Sequence, residues 1–159
     1  MKVSVNRQIN APVGAIWFYL ADFGNIHKFH PQLRESQYTQ GSIKCEVGAT
    51  RHCDFKNGHY LKERIIDLKS NAYYTVELES TSLPFKSGTI TTGVRPQSDK
   101  KCEAFIEFDV LPKYKLLAPV MFMILKYSVG FGILKGLEKL YNTQNEYGFD
   151  QLDHYQKTV

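Results

Sequence analysis

The chain has 159 residues, of which 43% are hydrophobic and 23% charged, with a formal net charge of +4. That is a one-domain length with an ordinary globular composition, which excludes a disordered or low-complexity protein. The lysines and arginines lie scattered among acids, with no basic stripe interleaved with aromatics, which argues against a nucleic-acid partner.

The first residues alternate: Val3, Val5 and Ile9 are spaced by polar side chains, the period of a strand. No unbroken apolar stretch of a signal peptide follows them. Asn10-Ala11-Pro12 is a helix start, and Ile16, Trp17 and Leu20 fall at helical spacing, so a short amphipathic helix is predicted from Pro12 to Ala21. Phe23 to Pro31 reads as a second short helix or a tight loop. Arg34, Ser36 and Tyr38 then share one face of a strand that ends near Gly41.

Ala49–Phe55 and His59–Leu68 flank Lys56-Asn57-Gly58, a strong hairpin signal. With a three-residue loop, Phe55 lies opposite His59 and Arg51 lies opposite Glu63, on the face that also carries Cys53, Leu61 and Ile65. A two-residue turn would instead put Arg64 opposite Arg51. Tyr74, Val76 and Leu78 alternate with Thr75, Glu77 and Glu79, giving one dry and one wet face. Thr89–Val94 and Ala104–Val110 are two more strands, the latter with Ala104, Ile106 and Phe108 inward. The loop Thr81–Phe85 carries Pro84.

The remainder reads as one long helix from Ala118 to Glu146. Leu134, Leu137, Leu140 and Tyr141 form an apolar stripe opposite Lys135, Glu138 and Lys139. Its first half is apolar nearly all round. The run Leu116–Leu134 is almost long enough to cross a bilayer, but Lys126 near its centre costs about 2.5–3.5 kcal/mol on insertion. Pro119, Ser128, Gly130 and Gly132 weaken it further, so no transmembrane segment is expected. One side of this half packs on the sheet. The other is expected to be covered by the short helices and loops, or else by a second copy of the chain or a membrane surface.

The ordered set Ile9-Asn10-Ala11-Pro12, Ile16-Trp17, Leu20-Ala21-Asp22, His30-Pro31, Val47-Gly48 with Arg51, Glu63-Arg64-Ile65, Tyr74, and Gly136-Leu137 with Leu140 resembles the START/Bet v 1-like (SRPBCC) superfamily. The closest likeness is to its polyketide cyclase/dehydrase-like branch. The resemblance covers the whole chain. It implies an α+β helix-grip fold over residues 1–159: a seven-stranded curved antiparallel sheet wrapped around a long C-terminal helix, with two short helices after the first strand. It also implies a cavity between sheet and helix for a small hydrophobic ligand such as a lipid, polyketide or aromatic compound. Some members are cyclase/dehydrase-type enzymes, and that alternative stands beside binding or transport. The hairpin Phe55–His59 lacks the Leu-Pro gate of the plant hormone-receptor branch, which argues against a receptor role.

The candidate ligand-binding residues are Arg34, Arg51, Glu63, Tyr74, Phe85, Phe108, Met121 and Leu125. Arg51 and Glu63 form a polar end that orients a ligand carbonyl or hydroxyl. Arg34 lies, by the resemblance, where hormone receptors carry an inward basic residue. Tyr74 is a hydrogen-bond donor and Phe85 a lid. His27 and His30 are spaced H-x-x-H without a supporting acid or thiol, so no metal is expected. No phosphate loop, dinucleotide fingerprint or nucleophile elbow appears, so no cofactor is expected and no catalytic residue is assigned. Cys45, Cys53 and Cys102 are odd in number and lack C-x-x-C spacing, as in reduced cytoplasmic proteins.

Overall fold

The computed structural model describes residues 1–148. Strand β1 (Lys2–Ile9) leads into helix α1 (Val13–Ala21) and a 3₁₀ segment, Phe23–Lys28. Six strands follow: β2 (Leu33–Thr39), β3 (Thr50–Phe55), β4 (Tyr60–Lys69), β5 (Tyr73–Thr81), β6 (Phe85–Ser98) and β7 (Lys101–Pro112). They form one antiparallel sheet in the order β1-β7-β6-β5-β4-β3-β2. Each strand from β2 onward pairs with the next, while β1 adds to the far edge beside β7. The two short helices therefore carry the chain from one edge of the sheet to the other.

Alternation decides which face is dry. Val3, Val5 and Ile9 of β1, Tyr74 and Val76 of β5, and Ala104, Ile106 and Phe108 of β7 are all buried, with exposed or half-buried residues between most of them. The covering element begins with α2 (Ala118–Met123) and ends with α3 (Phe131–Gly148). Between them the helix widens into a π-helical stretch, Ile124–Gly130. The unbroken α-helix expected from the sequence is thus interrupted at mid-length. A π turn re-phases the side chains, and such turns concentrate at functional sites.

Close backbone approach seats the helix. A Cβ on Gly136 would collide with the carbonyl oxygen of Phe29, and one on Gly130 would come within 2.7 Å of Val5 Cγ2. The helix thus rests on β1 on one side and on the 29–31 segment on the other. Arg7 Nε donates to Glu138 Oε2 at 2.7 Å and ties β1 to α3. Leu134 and Leu137 are fully buried beneath it.

The short helices and loops do not cover the outer side of the helix's first half. Met121 and Leu125 point inward and are buried, whereas Leu116, Leu117, Val120, Met123, Ile124 and Tyr127 are exposed. By length and composition the helix Lys115–Asn145 could cross a membrane, and only 17% of its most apolar window is buried inside the protein. One stripe closes the sheet. The rest of that half faces outward.

Candidate functional site

A cavity of about 600 Å³ lies between the inner face of the sheet and the long helix, within the range of small-molecule sites. Its walls are largely apolar: Phe55, Leu61, Ile90, Phe108, Met121 and Leu125 supply much of the surface. Gln32, Lys56, Asn57 and His59 line it together with Leu83, Pro84 and Phe85. These come from the β3–β4 hairpin tip, the 29–33 segment and the β5–β6 loop. The Pro-containing loop thus brings Phe85 to the wall.

Arg51 and Glu63 supply the main polar feature. Their pairing follows from the hairpin. Phe55 N–H donates to the His59 carbonyl at 2.8 Å, which leaves three loop residues ending in Gly58. Gly58 has φ of 84°, a left-handed conformation that costs glycine little. This loop length sets Arg51 opposite Glu63, and Arg51 Nε donates to Glu63 Oε2 at 2.6 Å. Both side chains are nearly sealed from solvent, at 6% and 2% exposure.

Arg51 has further partners. Its Nη1 donates to the Phe23 carbonyl at 3.1 Å, and its guanidinium lies 4.0 Å from the Phe23 ring centroid and 6.0 Å from that of Tyr74. Burial opposes the Arg51 charge, but Glu63, by its charge and its hydrogen bond, together with Tyr74 and Cys53 more than offsets burial and raises its pKa. With 2.6 Å between them, the two side chains compensate one another inside the protein.

Three buried titratable groups of the wall, His30, Cys53 and Tyr74, are held uncharged. Burial, aided by the Arg51 charge, pushes His30 down to about 3, so its imidazole is neutral. His30 Nδ1 accepts the Gln32 N–H at 3.3 Å, and its ring meets Phe55 edge-on. Burial pushes the Cys53 thiol up to about 12 and raises Tyr74 as well. Neither is a thiolate or phenolate at neutral pH. Thr92 of β6 adds a hydroxyl to the wall. Among the described residues no group of three or more His, Cys, Asp or Glu could hold a metal ion. His27 and His30 diverge, since His27 Nδ1 pairs with Ser36 Oγ at 3.0 Å.

Seven of the eight expected site residues therefore line one cavity: Arg51, Glu63, Tyr74, Phe85, Phe108, Met121 and Leu125. Arg34 does not. The pairing of β2 with β3 shifts between Leu33 and Glu35, so Arg34 sits in a bulge and leaves the inward face that Ser36 keeps. Its guanidinium is 68% exposed and stands 3.8 Å from Asp54. A bulge adds one residue to the strand and reverses the alternation beyond it. The sequence reading did not place Thr92 or Cys53 among the site residues. Thr92 was legible from its period-two spacing with the inward residues Ile90 and Val94. His30, noted in the sequence for its H-x-x-H spacing with His27, is buried in the wall.

An antiparallel sheet gripping a long helix over a cavity with one polar end defines a helix-grip ligand-binding architecture. The chain belongs to the family "Polyketide cyclase / dehydrase and lipid transport", which matches residues 1–139. Its fold is shared with a START superfamily protein from Mycobacterium smegmatis (13% identity, TM-score 0.76, 89% of this chain and 97% of that one). It is also shared with XoxI from Bacillus cereus (16% identity, TM-score 0.75, 88% and 94%) and with Ara h 8.0201 (13% identity, TM-score 0.69, 90% and 98%). No curated protein matches the sequence.

Proposed function

We propose that this chain, as one helix-grip domain over residues 1–159, binds and carries a small hydrophobic molecule with a single uncharged polar head. The observation that carries the reading is the cavity of about 600 Å³, whose largely apolar walls enclose a buried, self-compensated Arg51–Glu63 pair, while Lys56, Asn57 and His59 line it from exposed positions on the hairpin tip. An apolar body is favoured by the walls. A carbonyl or hydroxyl can hydrogen-bond at the pair without adding charge. A carboxylate would bring a third, uncompensated charge into a site that gives it little water, which is costly. Phe85 borders the cavity as a lid, and the three unpaired thiols are consistent with a reducing, cytoplasmic setting.

Cyclase or dehydrase activity in the same cavity is the competing reading, raised by the family's description. Catalysis would rest on positioning and on carbonyl polarisation by Arg51. The neutral His30 and the protonated Cys53 and Tyr74 give such chemistry no strong base or nucleophile, which favours the carrier.

The test is native mass spectrometry of the protein from its own host, then denaturing extraction. A discrete apolar adduct released intact supports carriage and identifies the ligand class. In titrations, a long-chain alcohol or ketone should bind more tightly than the carboxylate of equal length. The reverse order would refute the uncharged-head assignment, and conversion of the ligand on incubation would establish the enzyme.

A further inference from the structure

We infer that the outward face of the mouth-side helix docks on an anionic lipid surface, so that ligand passes between bilayer and cavity without crossing open water. Three observations converge. The first is the patch itself. Leu116, Val120, Met123, Ile124, Tyr127 and Phe131 recur along this stretch, and all six are exposed. The Tyr127 and Phe131 rings stack, with centroids 6.1 Å apart and planes 14° apart. A contiguous apolar face of this kind marks a contact surface.

The second observation is charge. From Val110 to Leu137 the chain has no acidic residue and four lysines: Lys113, Lys115, Lys126 and Lys135. None of the four has a carboxylate within salt-bridge distance among the described residues. Lys126 sits within the patch, its Nζ 5.3 Å from the Tyr127 ring centroid and 5.8 Å from that of Phe122. An apolar face with lysines at its margins and centre, free to extend their ammonium groups toward phosphates, is how a helix lies in a membrane interface. A second copy fits worse. A two-fold contact sets the same surface against itself, so Lys126 would face like charge near the axis.

The third observation is continuity with the cavity. Ile124 is 48% exposed on the patch and also lines the cavity, while Met121 and Leu125 on the adjoining turns line it from within. The surface that would touch lipid is the outer side of the cavity's own wall.

The test is flotation of the full chain with phosphatidylcholine vesicles, with and without phosphatidylglycerol. Binding should require phosphatidylglycerol and weaken with salt. Val120→Glu with Met123→Glu alters two exposed residues outside the cavity and should cut partitioning on the order of tenfold or more. Lys113→Gln and Lys115→Gln should each cut it about fivefold. The double-Glu variant should keep its circular dichroism spectrum and its binding of Nile red in solution. Leu125→Trp, which fills the cavity, should lose Nile red and still float. Wild-type protein that stays in the aqueous phase at low salt overturns the inference, as does equal flotation of the double-Glu variant. So does a wild-type dimer in sedimentation velocity that this variant converts to monomer. Nile red binding reports on the cavity separately, so failure of docking and failure of the carrier reading are distinguishable.

Discussion

Replacing Glu63 by Gln tests whether the polar end of the cavity is a buried ion pair. The substitution keeps the shape of the side chain and an acceptor oxygen but removes the negative charge. Arg51 would stay charged, since arginine does not deprotonate in proteins. Two unit charges about 4 Å apart at an effective dielectric of about 20 attract by roughly 4 kcal/mol. Breaking a buried pair from one side costs about 3–5 kcal/mol. The Phe23 carbonyl and ring still hold the guanidinium, so the lower end, about 3 kcal/mol, is expected. That is a large share of the roughly 5–15 kcal/mol available to a domain. It corresponds to a fall in melting temperature of roughly 6–12 °C at this chain length.

The assay is urea unfolding followed by Trp17 fluorescence. Trp17 is the one tryptophan, is buried, and has its ring 6.4 Å from that of Tyr74. Arg51→Met combined with Glu63→Leu should recover stability to within about 1 kcal/mol of the wild type, because an apolar pair needs no compensation. A loss below about 1 kcal/mol for Glu63→Gln would match an exposed pair and refute the reasoning. So would a double variant no more stable than the single one.

Acid should weaken the fold through His30. The folded state takes up this proton near pH 3 and an unfolded histidine near 6.5, so the unfolded chain binds more protons between those values. Stability from this residue is full above pH 6.5 and falls below it, by about 2 kcal/mol at pH 5; His30→Asn should flatten that slope in pH-dependent urea melts. Gly136→Ala should destabilise by about 1–3 kcal/mol despite the better helix propensity of alanine, because its Cβ meets the Phe29 carbonyl; a rise in melting temperature would contradict the close crossing. Arg34→Ala should leave both ligand affinity and stability unchanged within about 0.5 kcal/mol, as its ion pair with Asp54 is exposed. A large loss of affinity would return Arg34 to the site.

The amino-acid sequence by itself determined the order of elements and which face of most strands is dry. Period-two alternation in β1, β5 and β7 is a local signal, and a pleated strand must put every second residue on the same side. It narrowed the partner of Arg51 to Glu63 or Arg64, according to the length of the loop at Lys56-Asn57-Gly58, and the Phe55–His59 hydrogen bond of the folded hairpin decided for Glu63. Arg34 escaped this logic. Its strand bulges between Leu33 and Glu35, and a bulge arises from the fit of two strands, not from the pattern of one. His30 was ambiguous for a related reason: a histidine before a proline looks like a turn, and only the helix and hairpin closing over it make it a neutral wall residue. The outward face of the long helix shows the same limit. A run that is apolar all round does not say what each of its sides meets. The tertiary structure decided that one side belongs to the sheet and left the other side open, because β1 and the Phe29–Pro31 segment grip the helix along one stripe only.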